Sequence, residues 1–410
     1  MLLNSAFRLL ICVSTVSLWL HVCAENLNRR EYRAMCRIYR IALRHHNDSA
    51  SAYVGSQLDW KRFDELYERV KACVEATGNT TEGEVELETD FGSVKLPSGP
   101  VTAKAHNICV AGAGKMDHIN KAAQLLKVNA EDAAQRAIAN LKTAITTEKN
   151  LENAGQEPRG WNDDAARDAT CDSHENGGRA GVQLTTDLIC LCIGMYYNTH
   201  KACGTGIPGH GGFRASQKKF SKEKDHWADI HKDCDKMSVK DDFTIENINT
   251  SIENFNALLG AKPGKWSTKT KKSSWVLGHT AEAPSCRTNE TKRWDKNICI
   301  DYGLSDGSLG EIKWRSQIYK TRNFLLEAEA NIAKARKLLE RMEFLLVVLE
   351  KDLLLANISN SLVLAAGLKT VRPHVSLKSF GGTGLQESGG GGSRHYLALM
   401  GVLTLMFSDF

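Results

Sequence analysis

Between Glu311 and Ala356 an apolar residue returns at every seventh position for six heptads, as Ile318, Leu325, Ile332, Leu339, Leu346 and Leu353. Strict recurrence at seven residues marks a helix whose buried seam faces another helix. The position three residues further on reads Thr321, Ala328, Ala335, Met342, Leu349 and Ala356, and neither Pro nor Gly interrupts the run. At a rise of about 1.5 Å per residue this stretch makes a rod about 70 Å long. Phe324, Leu338 and Leu345 widen the stripe. The helix therefore faces more than one neighbour, and a bundle is expected rather than a two-stranded coil. Its apolar end, Phe344 to Ala356, is interrupted by Glu350, Lys351 and Asp352 and is too short for a membrane span, so it reads as buried bundle core.

A second long helix is expected over Met116 to Ala154, where Ala123, Ala130, Ala137, Ala144 and Leu151 recur by sevens beside Leu126, Ala133, Ile138, Leu141 and Ile145. A thin Ala face lets a bulky facing helix approach closely, and Glu311 to Ala356 is the natural partner. If the two run antiparallel, residues 155–310 become an insertion at one end of the rod. Upstream, helical spacing covers Leu27 to Arg44 and again Leu58 to Ala76, with Gly78-Asn79 as a stop. Residues 80–108 alternate acidic and apolar, as in Glu84 to Glu88, and read as a short hairpin or an ordered loop. Cys109-Val-Ala-Gly-Ala-Gly-Lys115 has the outline of a phosphate-binding loop. It lacks the first glycine, replaced by Cys109, and the magnesium-binding Ser/Thr, replaced by Met116.

Both ends carry processing signals. Arg8, the apolar run Leu9 to Leu20, and Val22 with Ala24 make residues 1–24 a secretory signal peptide, cleaved after Ala24. At the far end a Gly/Ser stretch, Glu387 to Ser393, is followed by the apolar Tyr396 to Phe407, too short to span a bilayer. Small residues, a polar spacer and a hydrophobic tail are the order read for glycosylphosphatidylinositol (GPI) attachment. Ser388 is the expected attachment residue, with Gly382, Gly389 and Ser393 as alternatives, and residues 389–410 would be the discarded propeptide. Residues 25–370 then form the helical domain with its inserted head at 155–310, and residues 371–388, with Pro373 and several glycines, form a flexible tether.

Of the twelve cysteines, Cys12 and Cys23 leave with the signal peptide. The other ten, Cys36, Cys73, Cys109, Cys171, Cys190, Cys192, Cys203, Cys234, Cys286 and Cys299, are an even set in a secreted chain, which implies disulfides of undetermined connectivity. Most lie in the insertion, a Gly- and Asp-rich segment that buries little core per residue and needs staples. A zinc site from Cys171, His174, Cys190, Cys192, His231 and Cys234 matches no standard spacing, so oxidation is favoured. Acceptors for N-linked glycans occur at Asn47, Asn79, Asn249, Asn289 and Asn357.

The net charge of +5 is spread, with Lys and Arg interspersed among Asp and Glu, which argues against nucleic acid as a partner. The basic loop Lys262 to Lys272, with Trp266 and Trp275, is a solvated loop by default. Among the histidines, His210, His226, His231 and His279 are the catalytic candidates, yet no nucleophile elbow or paired His-Glu helix motif accompanies them. No catalytic, cofactor-binding or metal-binding residue is assigned, and the chain is read as a non-enzyme.

Signal peptide, long paired helices, cysteine-rich head, glycan acceptors, tether and GPI tail together resemble a trypanosome variant surface glycoprotein. The most specific piece is Cys171 with Asp187-Leu-Ile-Cys-Leu-Cys192 and Cys203, which resembles that family's B-type amino-terminal domain. The resemblance implies a mainly α fold, an elongated helical bundle with a disulfide-rich inserted head, homodimeric and anchored by GPI in the outer leaflet of the plasma membrane. It implies a steric coat whose varied head defeats host antibodies. No cysteine follows Cys299, so the small disulfide-bonded carboxyl-terminal domain of many members is missing. A coat-derived receptor for a host macromolecule, related to the trypanosome transferrin receptor and using the Trp266–Trp275 loop, is the alternative.

Overall fold

The computed structural model describes residues 28–45, 48–78, 84–89, 92–96, 100–145, 170–172, 179–192, 202–204, 223–237, 242–261, 275–280, 286, 297–304 and 306–368. The segments expected to be a signal peptide (1–24), a tether (371–388) and a GPI propeptide (389–410) lie outside them. The chain divides into a unit of residues 1–357 and a second of residues 358–410, whose described part, 358–368, is helical.

In chain order the elements are α1 (Arg29–His45), α2 (Ala50–Gln57), α3 (Lys61–Gly78), β1 (Val85–Thr89), β2 (Gly92–Leu96), α4 (Pro100–Ile145), α5 (Leu184–Cys192), α6 (Glu223–Lys236), α7 (Ile245–Leu258), β3 (Val276–Thr280), β4 (Asn297–Asp301) and α8 (Lys313–Leu368). The fold is mainly α, a long helical bundle with two small hairpins.

α8 is the seam helix. It starts two residues after Glu311 and runs on past Ala356 to Leu368, because no Pro or Gly intervenes before Gly367. Ile318, Leu325, Ile332, Leu346 and Leu353 are buried, and so are Thr321, Ala328, Ala335, Met342, Leu349 and Ala356. Leu339 is the exception and is only half-buried.

α4 spans 46 residues and begins at Pro100 rather than at Met116. Proline suits the first helical turn, where its missing N–H costs nothing. Ala105, Cys109 and Met116 then carry the buried face straight through the glycines of the Cys109–Lys115 segment. That segment is helix interior, which removes the loop that would cradle a phosphate. Gly112 is there for packing, since a Cβ at that position would overlap Leu349 Cδ1. With Thr321 Oγ1 donating to the Ala137 carbonyl at 3.2 Å, the pairing of 321 with 137 and of 349 with 112 makes α4 and α8 antiparallel. Arg136 bridges to Glu327 at 3.1 Å and lies over the Phe324 ring, covering the rim of the seam.

α3 packs along α4 and is tied to it by Cys73–Cys109. It reaches α8 through Arg69, 2.8 Å from the buried carboxylate of Glu350. The helix expected over Leu58–Ala76 is thus observed as Lys61–Gly78. A separate short helix, α2, precedes it, capped by Ser49, whose Oγ accepts from Ala52 N at 2.9 Å. Trp60 Nε1 donates to Val54 O at 3.1 Å and closes the corner between the two. β1 and β2 form an antiparallel hairpin whose Val85, Leu87, Val94 and Leu96 face the core.

The difference in burial at two seam leucines is directly measurable. Leu325→Ala should cost about 2–5 kcal/mol, whereas Leu339→Ala should cost less than half as much, read as the shift in the thermal unfolding of the two variants. Equal losses would contradict the difference in burial between the two positions.

Candidate functional site at the junction of rod and head

The head elements gather where α4 ends and α8 begins. The last carbonyls of a helix have no intrahelical donor. At the end of α4 the Ile145 carbonyl is met by Thr185 Oγ1 of α5 at 3.2 Å, both groups being buried. The start of α8 is fixed by a backbone bond from Trp314 N to Gly181 O at 3.2 Å. Gly181 has φ +78°, and a side chain there would press on the backbone of Ile312, so the turn into α5 requires glycine.

This junction closes over one carboxylate. Asp187, in the first turn of α5, is fully buried and accepts from Gly181 N at 3.0 Å on both oxygens, from Tyr302 Oη at 2.8 Å and from Trp314 Nε1 at 2.7 Å. The donors come from three segments distant in sequence: the turn before α5, the residue after β4, and the first turn of α8. Phe255 of α7 lies edge-on to Trp314, with ring centroids 4.7 Å apart, and to Tyr302, helping to exclude water. Burial pushes the Asp187 carboxyl up to about 7, against the opposing pull of its hydrogen bonds from Gly181, Trp314 and Tyr302. Burial and the neighbouring Asp187 charge push the Tyr302 phenol well above its usual range.

A second buried polar node is Asn28. Its Nδ2 donates to Leu191 O at 2.8 Å and to Ile298 O at 2.6 Å, joining the end of α5 to β4. Gly278, with φ +103°, leaves the room, since a Cβ there would stand 2.7 Å from the Ile298 carbonyl.

The ten cysteines from Cys36 to Cys299 are in disulfides, Cys36–Cys234, Cys73–Cys109, Cys171–Cys190, Cys192–Cys203 and Cys286–Cys299. The sulfurs of Cys171, Cys190, Cys192 and Cys234, which a zinc reading would need, are therefore taken up in disulfides. Cys36–Cys234 fastens α1 to α6, and α1 also packs on α4, α5 and α7. The amino-terminal helix is thus part of the structure that holds the head, a pairing that spacing could not reveal.

Of the histidine candidates, His231 and His279 have described side chains. His231 Nδ1 lies 2.8 Å from Tyr39 Oη, and burial, partly offset by Asp235, lowers its pKa. It sits in the aromatic packing of Tyr39 and Trp227 between α1 and α6. His279 lies in β3, paired with Ile298, His226 is in α6, and His210 falls outside the described residues. Among the described residues no group of three His, Cys, Asp or Glu side chains could hold a metal ion. Trp275 donates to the Gly307 carbonyl at 3.2 Å, while residues 262–274 of its loop lie outside the description. Asn249 and Asn357 are half-buried on α7 and α8, and Asn47, Asn79 and Asn289 are outside it, as is Ser388.

Sequence reasoning did not find the Asp187 node, although one signal was present. An aspartate inside the apolar run Val182 to Leu191 has to be either exposed or fully hydrogen-bonded. The raised pKa fixes the sign of a prediction. The folded value of about 7 lies above the ordinary 3.8, so folding takes up a proton between them. The stabilisation is fully present below about 3.8 and is lost as pH rises through about 7. Melting curves from pH 4 to 8 should show this fall in the natural protein and a shallower one in Asp187→Asn, with the variant less stable throughout. Parallel pH profiles would contradict it.

The described residues contain no helix long and apolar enough to cross a membrane. A family model of the trypanosomal VSG domain, of the B type, matches residues 55–343, which takes in α3, α4, the head elements and most of the buried part of α8. The chain is also similar to variant surface glycoprotein YnAT 1.3 of Trypanosoma congolense, 24% identical over 367 residues that make up 88% of each chain. Two paired helices crowned by a disulfide-bonded head, with that match over more than half its length, place the chain in the trypanosomal variant surface glycoprotein family.

Proposed function

We propose that the protein is a GPI-anchored coat glycoprotein that acts as a steric shield and as a replaceable antigen in immune evasion. The observation that carries this is the family match laid over a frame whose fixed interactions lie inside. Asp187, Asn28 and the α4–α8 seam are buried, so the outward residues of the head can change without disturbing what holds it. Such a function needs no reaction centre, and host antibodies are the partners it evades.

In this reading residues 1–24 direct secretion, residues 25–370 form the folded ectodomain with the head at 155–310, and residues 371–388 tether it. Lipid replaces residues 389–410 at Ser388, and glycans on Asn47, Asn79, Asn249, Asn289 and Asn357 add bulk. A second copy of the chain is the expected lateral partner. Leu125 and Val128, one turn apart on α4, are 63% and 59% exposed, as befits side chains that meet another protein.

The test is quantitative labelling of surface proteins on live cells, with and without phosphatidylinositol-specific phospholipase C. The expected outcome is that this chain dominates the label and that the lipase releases it. Release of a rare species would overturn the coat reading, and retention after lipase treatment would overturn the anchor.

A further inference from the structure

α1 places four arginines along one face, at Arg30, Arg33, Arg37 and Arg40. Their spacing of three and four residues stacks them over about 15 Å of helix. All four line a single groove of about 580 Å3 between α1 and α7, completed by Ala34, Met237, Asn254, Ala257 and Leu258. No carboxylate is among the described residues that line it. Like charges at these spacings repel one another, so Arg30, Arg33 and Arg37 side by side in a concave wall favour an anionic occupant.

The row is graded in depth. Arg30 and Arg33 are exposed, Arg37 is half-buried and Arg40 is buried. Asn247 already holds Arg37, accepting from Nη2 at 3.0 Å, so its guanidinium is preset, and its Nε is buried with no acceptor among the described residues. The planar guanidinium fork matches the oxygens of sulfate, phosphate and carboxylate in pairs. A lone anion would need only one or two of these forks. A ligand that repeats its charge over about 10 Å would use Arg30, Arg33 and Arg37 together.

We propose that this groove binds a sulfated glycan. The described lining offers small and aliphatic side chains, Ala34, Ala257, Leu258 and Met237, against which a sugar ring can lie, and among the described residues it holds no aromatic face of the kind that stacks nucleobases. The choice of a glycan over other polyanions rests on the cell-surface reading above. The groove's volume falls within the range of small-ligand sites, enough for a few sugar residues.

Calorimetric titration of the purified mature protein with a heparin-derived hexasaccharide tests the proposal. One hexasaccharide should bind per chain, and a desulfated hexasaccharide of the same length should not. Arg30→Gln with Arg33→Gln, both exposed, should leave the melting temperature unchanged and weaken binding about tenfold, as expected for two lost charge pairs. The salt dependence of log K should become shallower by about two contacts. Unchanged affinity in the double variant would overturn the assignment, and so would inorganic sulfate binding as tightly as the hexasaccharide. A duplex oligonucleotide binding equally well would overturn the glycan class. These titrations are made in solution, so their failure would leave the coat reading, tested on cells, untouched.

Discussion

The close approach of α4 and α8 governs the rest of the molecule. Ala123, Ala130, Ala137 and Ala144 are fully buried on α4, and Ala328 and Ala335 are fully buried on α8. Gly112 meets Leu349 and the Ala137 carbonyl meets Thr321, so the two long helices touch at both places. Each buried alanine contributes little apolar area, yet thin faces let the larger side chains, Leu325, Ile332, Met342 and Leu346, fill the space between backbones. A bulky residue at Gly112 would force the helices apart, and in a close-packed interior that displacement has nowhere to dissipate.

The pairing also decides where the head is built. Antiparallel helices bring the end of α4 beside the start of α8, so the chain between them must leave and return at one place. Thr185 on the Ile145 carbonyl and Gly181 on the Trp314 amide close the two helix ends, and Asp187 joins the closing segments. Four disulfides and two buried polar nodes then do for the head what apolar mass does for the rod. Hydrogen bonds of this kind specify geometry strongly, because a donor stranded beside a missing acceptor costs far more than the bond contributes on its own. Outside the groove between α1 and α7, the interactions that hold the head make few demands on its surface residues.

Periodicity made the rod legible. The sevenfold recurrence in α8 and the alanines of α4 follow from helix geometry alone, and complementary face widths made the two helices natural partners, while their antiparallel direction is set by the contacts of Thr321 with Ala137 and of Leu349 with Gly112. The beginning of α4 was hidden because Gly112 and Gly114 look like loop residues, although Gly112 is in fact a packing device. α2 is too short to show a period, and α6, with its charged residues, does not display the face that buries Trp227, Ile230 and Cys234. β3 and β4 are five residues each and separated widely, so nothing local links them. The Asp187 node unites residues more than 100 positions apart, as Trp314 and Tyr302 show. Long-range hydrogen bonds leave almost no trace in the spacing of a single chain, and the cysteine pairing is silent for the same reason.

The central claim is that the seam and the Asp187 node form one cooperative frame that carries a tolerant surface. Native-state hydrogen exchange on the purified protein tests it most directly, since slow amides exchange together only when they open in one event. The account predicts the slowest exchange in α4 around Ala130 to Leu141, in α8 around Leu325 to Ala335 and in α5 around Asp187, all with the same opening free energy. If α5 exchanged through a separate, much lower-energy opening while the seam stayed closed, the head would be an independent module and the account would be contradicted.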